Sequence, residues 1–180
     1  MVIKCMIDII ESISESVGRL VSWLLLAMVL LICYDVAMRY LFQSGSVALQ
    51  ELEWHIFSLI FLLGAAYTFK HGDHVRVDVF YQSRFMSNRH RAMVNFIGGL
   101  VFLIPFCILV IAGSVPFIES AYNFSEGSPD PGGLPYRFIL KSAIPVGFFL
   151  LLLQGIAAML SSFQVLRAEK ESTSSQLGKQ

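Results

Sequence analysis

Glu51, His55 and Ser58 are the residues whose types and spacing come nearest to chemistry. His55 follows Glu51 by four positions and Ser58 follows by three more, so in a helix the three share one face. A carboxylate, an imidazole and a hydroxyl can relay a proton or activate a nucleophile when they converge in a buried site. Asp35 and Arg39, also four apart, have the spacing of an ion pair along one helix face. His71-Gly72-Asp73-His74 offers three groups able to hold a divalent metal. In each case a plainer reading competes. The Glu51, His55 and Ser58 strip enters the membrane from outside and is expected to face a helix of this chain or of a partner rather than lipid. The Asp35–Arg39 pair stands at the end of an apolar run, where a local ion pair is expected. Gly72 breaks up the histidine cluster, so a solvated turn is expected there, followed by a short interfacial helix with Val77, Phe80, Tyr81 and Phe85. Neither a metal nor a cofactor is expected.

The elements that must position these groups are apolar. Leu20–Tyr34, Trp54–Phe69, Ala92–Ile118 and Ser142–Leu166 contain no Asp, Glu, Lys or Arg. A bilayer core of roughly 30 Å needs about 20 predominantly apolar residues in a helix. The last two stretches suffice alone, and the first two reach that length with a charge near one end, where it can reach water. Mean hydropathy is +0.67 and 56% of residues are hydrophobic, against 14% charged. The expected fold class is therefore an all-α integral membrane protein of four transmembrane helices, with spans at about 18–39, 50–69, 92–116 and 141–165.

Residues 1–17 carry Ile3, Met6, Ile7, Ile10, Ile13 and Val17 at helical spacing, with Lys4, Asp8, Glu11 and Glu15 on the other face. An N-terminal amphipathic helix on the cytoplasmic interface is expected; a cytoplasmic extension of the first span is the alternative. The acidic face is unusual against anionic lipid and suits a protein partner. Acidic residues precede the first apolar run and Asp35 and Arg39 follow it, so a permanent span rather than a cleaved signal is expected. Residues 167–180 read as a disordered cytoplasmic tail.

Ten of the thirteen Lys and Arg residues fall on the N-terminal side, in the loop between spans two and three, or in the C-terminal tail; Arg39, Arg137 and Lys141 fall in the other two loops. By the positive-inside rule both termini and the central loop are expected in the cytoplasm. A net charge of zero gives no nucleic-acid footprint. Cys5, Cys33 and Cys107 are odd in number and two lie in apolar runs, which argues against a disulfide framework. In the third span Pro105 predicts a kink, since it removes a backbone donor that neighbouring helices must compensate. The outer loop Ser128-Pro129-Asp130-Pro131-Gly132-Gly133-Leu134-Pro135 predicts a fixed, non-helical turn. Gly64-Ala65-Ala66 and Ala143-x-x-x-Gly147 provide small faces for close helix packing.

Several chemistries lack their residues. A haem anchor needs axial histidines within spans, and of His55, His71, His74 and His90 only His55 is near one. A proton-coupled exporter needs a mid-membrane acid, and Asp35, Glu51 and Glu53 stand at span ends. No Ser/His or His/Glu pair converges as a membrane hydrolase requires, so no enzyme is expected. A homo-oligomeric channel or exporter and an anchor for a redox enzyme remain as alternatives to a scaffold or accessory subunit.

Met38-Arg39-Tyr40-Leu41-Phe42, Leu49-Gln50-Glu51-Leu52-Glu53-Trp54 and, above all, the run from Phe61-Leu62-Leu63-Gly64-Ala65-Ala66 through Lys70-His71-Gly72-Asp73-His74-Val75-Arg76-Val77-Asp78 resemble a known family. It is the small membrane subunit of TRAP (tripartite ATP-independent periplasmic) transporters. The Gly127–Pro135 string is similar to one branch of it. The resemblance covers about Leu20 to Leu160 and implies a four-span subunit of the bacterial inner membrane with both termini cytoplasmic. It implies two protein partners: a large membrane subunit carrying substrate and sodium sites, and a periplasmic receptor that delivers an organic solute, often a carboxylate, for symport. The small subunit then braces the large one. Arg39 and Glu51 match charged positions of the family pattern. No catalytic or substrate role falls on any residue; Asp35, Arg39, Glu51, His55, Ser58 and Gly64 are candidates for a structural role or for a subunit interface.

Overall fold

The computed structural model describes residues 2–71 and 88–177, with side chains for 3–71 and 92–167. Every regular element among them is helical: α1 (Val2–Leu41), α2 (Val47–His71), α3 (Asn88–Gly98), a π-helical turn (Gly99–Leu103), α4 (Ile104–Asn123) and α5 (Arg137–Leu177). Four stretches are long and apolar enough to cross a bilayer: Ile3–Leu41, Val47–His71, Ala92–Asn123 and Arg137–Arg167. The protein is a multi-pass membrane protein.

α1 differs from the arrangement expected for residues 1–17. They form no separate interfacial helix, because residues 2–17 continue without a break into the first span. At 40 residues the helix is about 60 Å long, roughly twice the hydrocarbon thickness. Two features remove the reason for a break. Gly18, the one weak helix former at the junction, stands where a Cβ would run into the ring of Tyr67. Below it the amphipathic face has a protein surface to cover: Ile7 and Ser14 are buried, and Ser14 Oγ donates to Gln154 Oε1 of α5 at 2.7 Å. At the other end Gln43 takes a left-handed φ of 51° and the Ser44 amide returns to the Met38 carbonyl, which closes the helix.

The disruption expected at Pro105 takes the form of the π turn immediately before it. The Ile104 amide reaches five residues back to the Gly99 carbonyl, and Pro105, in the first turn of α4, has no amide to lose. The turn is held by packing against α5. A Cβ on Gly99 would meet Met159 Cγ at 2.8 Å, and one on Gly155 would run into Leu103, so each helix places a side chain over the other's glycine. α5 is the centre of the bundle and packs on all the other helices. It also continues to Leu177, beyond position 166, where the sequence suggested that order ends; Ala168-Glu169-Lys170-Glu171 are good helix formers and neither Gly nor Pro intervenes before Gly178. The expected turn at Gly72–Asp78 and interfacial helix at Val77–Phe85 lie outside the described residues.

Candidate functional site

The end of the bundle at which α2 and α5 begin is organised around Glu51. Its position one turn into α2 turns its carboxylate toward the loop between α4 and α5, and the residue is 4% exposed. Three groups of that loop and the start of α5 fill the carboxylate. Ser128 Oγ donates to Oε1, the Leu134 amide donates to Oε2 at 2.6 Å, and Arg137 Nη2 donates to Oε1 at 3.2 Å. Arg137 also lies over the Trp54 ring, 5.5 Å from its centroid.

The loop is shaped for this contact by its own sequence. Asp130-Pro131-Gly132-Gly133 has Pro at the second place and a Gly of φ 83° at the third, the signature of a type II turn, closed by the Gly133 amide on the Asp130 carbonyl at 3.1 Å. Ser128 braces that turn by accepting from the Asp130 amide, and its own amide donates to the Leu134 carbonyl. Gly133 is required by space: a Cβ there would collide with Ser128 and come within 2.7 Å of Glu51 Oε2. Ser125 and Tyr136, at either end, hold left-handed φ angles of 47° and 62°, a cost that the fixed strap imposes on non-glycine residues.

The other two cations at this end of the bundle are paired as well. Arg39 bridges to Asp35, which is 2% exposed, and Asp35 Oδ1 has no hydrogen-bond partner among the described residues. Lys141 bridges to Glu126 and lies 3.8 Å from the Phe117 ring centroid. Thus Arg39, Arg137 and Lys141 each have a carboxylate of this chain against them. At the opposite end of the bundle Glu15 Oε2 accepts from Lys70 Nζ at 3.0 Å and lies 3.4 Å from His71 Nε2, which ties α1 to the end of α2. Lys70 Nζ also donates to the Glu11 carbonyl.

The strip read from the sequence is only partly brought together. His55 Nδ1 approaches the backbone carbonyl of Glu51, at 2.5 Å, not its carboxylate, and its ring lies against Trp54. Ser58 Oγ donates to the Trp54 carbonyl. The three groups therefore form neither a proton relay nor a nucleophile–base pair. Gly64 faces Val21 of α1 at ordinary contact distance. Sequence reasoning missed Ser128, Leu134 and Arg137 as the partners of Glu51, and it missed the Ser14–Gln154 bond. The Pro- and Gly-rich loop was a signal that something rigid stands there, but not of where it lands. Among the described residues no group of three or more His, Cys, Asp or Glu residues could hold a metal ion.

A family model described as the DctQ component of tripartite ATP-independent periplasmic transporters matches residues 28–165. The chain is also 30% identical, over 140 residues, to a Haemophilus influenzae protein that carries the name of a TRAP transporter small permease; the match covers 77% of this chain and 85% of that one. The matched region runs from the C-terminal part of α1 into α5 and contains the Glu51 strap.

Proposed function

The chain belongs to the DctQ-component family of tripartite ATP-independent periplasmic transporters, and from that premise we propose that this small permease subunit braces a large sodium-coupled membrane subunit during solute uptake. The solute is organic, of carboxylate class, and a periplasmic receptor delivers it. The observation that carries this reading is the way charge is spent. All three outer cations are held by carboxylates of the same chain, and the four apolar stretches contain no Asp, Glu, Lys or Arg. Such a chain has stiffness at that rim and no Asp, Glu, Lys or Arg within its apolar stretches to hold an ion or a carboxylate at mid-membrane.

The surface supports the same reading. In three of the four candidate spans only 6% of the most apolar window is buried within the chain, so most of its apolar surface is left for lipid or for another membrane protein. Asp35, Arg39, Glu51, His55, Ser58 and Gly64 serve to hold the shape that meets the large subunit. The subunit lies in the inner membrane with both termini cytoplasmic, as the ten-to-three division of Lys and Arg supports. Proteoliposomes test the proposal. The chain alone is expected to take up no solute under a sodium gradient, and chain, large subunit and receptor together are expected to do so. Uptake by the chain alone would overturn it.

A further inference from the structure

One carboxylate near the start of α2 is left over. Asp35, Glu51 and Glu126 each have a cation of this chain, and Glu119 and Asp130 are exposed. Glu53 differs from both groups. It is half-buried, its Oε1 is wholly buried, and that oxygen receives no hydrogen bond among the described residues. No described Lys, Arg or His forms an ion pair with it either. A carboxylate at the edge of the apolar layer is costly without a counter-charge. Because the residue is not sealed in, a group from outside the chain can supply one.

Glu53 stands in line with a groove. It precedes Ile60, Gly64 and Tyr67 by 7, 11 and 14 positions, so the four share one face of α2. The last three line an open groove of about 410 Å³ along the seam of α1 and α2, opposite Val21, Ser22 and Leu25 of α1. Each wall carries a small residue followed four positions later by a hydroxyl, Gly18 and Ser22 on α1, Gly64 and Thr68 on α2. Both hydroxyls donate back to the carbonyl of their own glycine, so neither offers its proton to the groove. Such a lining suits the close approach of another helix. Trp54, Phe57 and Phe61 are exposed on α2 between Glu53 and the groove and form an aromatic ridge beside it.

We infer that a transmembrane helix of the large subunit seats in the groove between α1 and α2 and sets a Lys or Arg side chain against Glu53. This rests on the reading that the chain braces a large subunit, and names the face that does so. Glu53 lies about 16 Å along α2 from Gly64, so the basic residue stands about eleven positions from the one seated over Gly64. A second copy of this chain fits less well, because Arg39, Arg137 and Lys141, the cations at that end, already have carboxylates. A phospholipid brings a phosphate, which Glu53 repels.

The test co-expresses this chain with the tagged large subunit of its transporter and measures the chain recovered with it in mild detergent. Glu53→Gln keeps the shape, loses the charge and is expected to lower recovery about tenfold, the scale of one charge-assisted contact. Ser22 is exposed in the groove, so Ser22→Phe fills it from the surface and is expected to lower recovery as far, with the melting of the isolated chain unchanged. Glu119→Gln, at an exposed carboxylate of α4, is expected to match the parent. Parent-level recovery of Glu53→Gln or of Ser22→Phe overturns the inference, and so does an equal loss in Glu119→Gln. Should Ser22→Phe fail to fold, Glu53→Gln decides. A cysteine at position 22, introduced after replacing the three native ones, is expected to cross-link to the large subunit; cross-linking to a second copy of this chain overturns the inference. If the parent chain itself is not recovered, the brace falls together with the groove; if the parent is recovered and the variants match it, only the groove falls.

Discussion

At the scale of single residues, Glu51 is the test of what holds the outer rim. Its two oxygens receive a hydroxyl, a backbone amide and a guanidinium, from residues 77 to 86 positions away. Glu51→Leu leaves all three donors without their acceptor, which costs more than the loss of the bonds themselves. Glu51→Gln keeps one acceptor and turns an amide N–H₂ toward groups that are chiefly donors. Ser128→Ala removes one donor and leaves the carboxylate with two. Melting of the purified chain is therefore expected to fall most for Leu, less for Gln and least for Ser128→Ala. The strap should loosen in the same order, read as the rate at which a cysteine at exposed position 130 reacts with a water-soluble maleimide. Equal melting and equal labelling in all three would show that the strap stands without Glu51. That Glu51 and His55 share a helix face was legible because i, i+4 spacing is local. Its partners were not, since which loop group reaches a carboxylate depends on turn geometry that Pro131 and Gly132 only announce.

At the scale of elements, the small residues divide into those that space requires and those that it does not. A Cβ on Gly147 of α5 would lie 2.7 Å from the Leu62 carbonyl oxygen, and backbone cannot swing aside as a side-chain end can. A Cβ on Gly64 of α2 would meet only Val21 Cγ1, at 3.7 Å. Gly147→Ala is expected to force α2 and α5 apart and to cost about 1–3 kcal/mol, the usual range for an overpacked contact. Gly64→Ala is expected to be neutral, or to gain up to about 1 kcal/mol from helix propensity. Denaturant-dependent loss of helix in mixed micelles measures both, and a Gly147→Ala variant as stable as Gly64→Ala would show that α2 and α5 pack differently. In the sequence the two glycines look alike, each in a run of small residues, and composition does not say which one faces backbone. The same limit applies to the π turn. Gly98-Gly99 and Pro105 mark a weak stretch, but its form depends on Met159 and Leu103 settling over the opposing glycines. The continuity of α1 was open for a related reason: an amphipathic stretch reads alike whether lipid or Ile7 and Ser14's neighbours cover its apolar face.

At the scale of the whole molecule, orientation is the property on which every other role depends. The four spans were legible because a run without charge needs no knowledge of its neighbours, and the asymmetry of Lys and Arg is what supports the proposed direction. The outer cations Arg39, Lys141 and Arg137 are each neutralised by a carboxylate beside them, and Asp35, Glu126 and Glu51 supply it. Lys70 at the other end is paired in the same way, with Glu15, and the rule counts Lys and Arg rather than net charge, so the division stays ten to three. Two single-cysteine variants, Asp130→Cys and His74→Cys, made after replacing Cys5, Cys33 and Cys107, read the outcome in intact cells. An impermeant maleimide is expected to label position 130 from outside and to reach position 74 only after the cells are opened. Labelling of position 74 in intact cells with position 130 protected would invert the subunit. The Glu51 strap would then face the cytoplasm, where a periplasmic receptor cannot meet it, and the brace would need a different partner at each end.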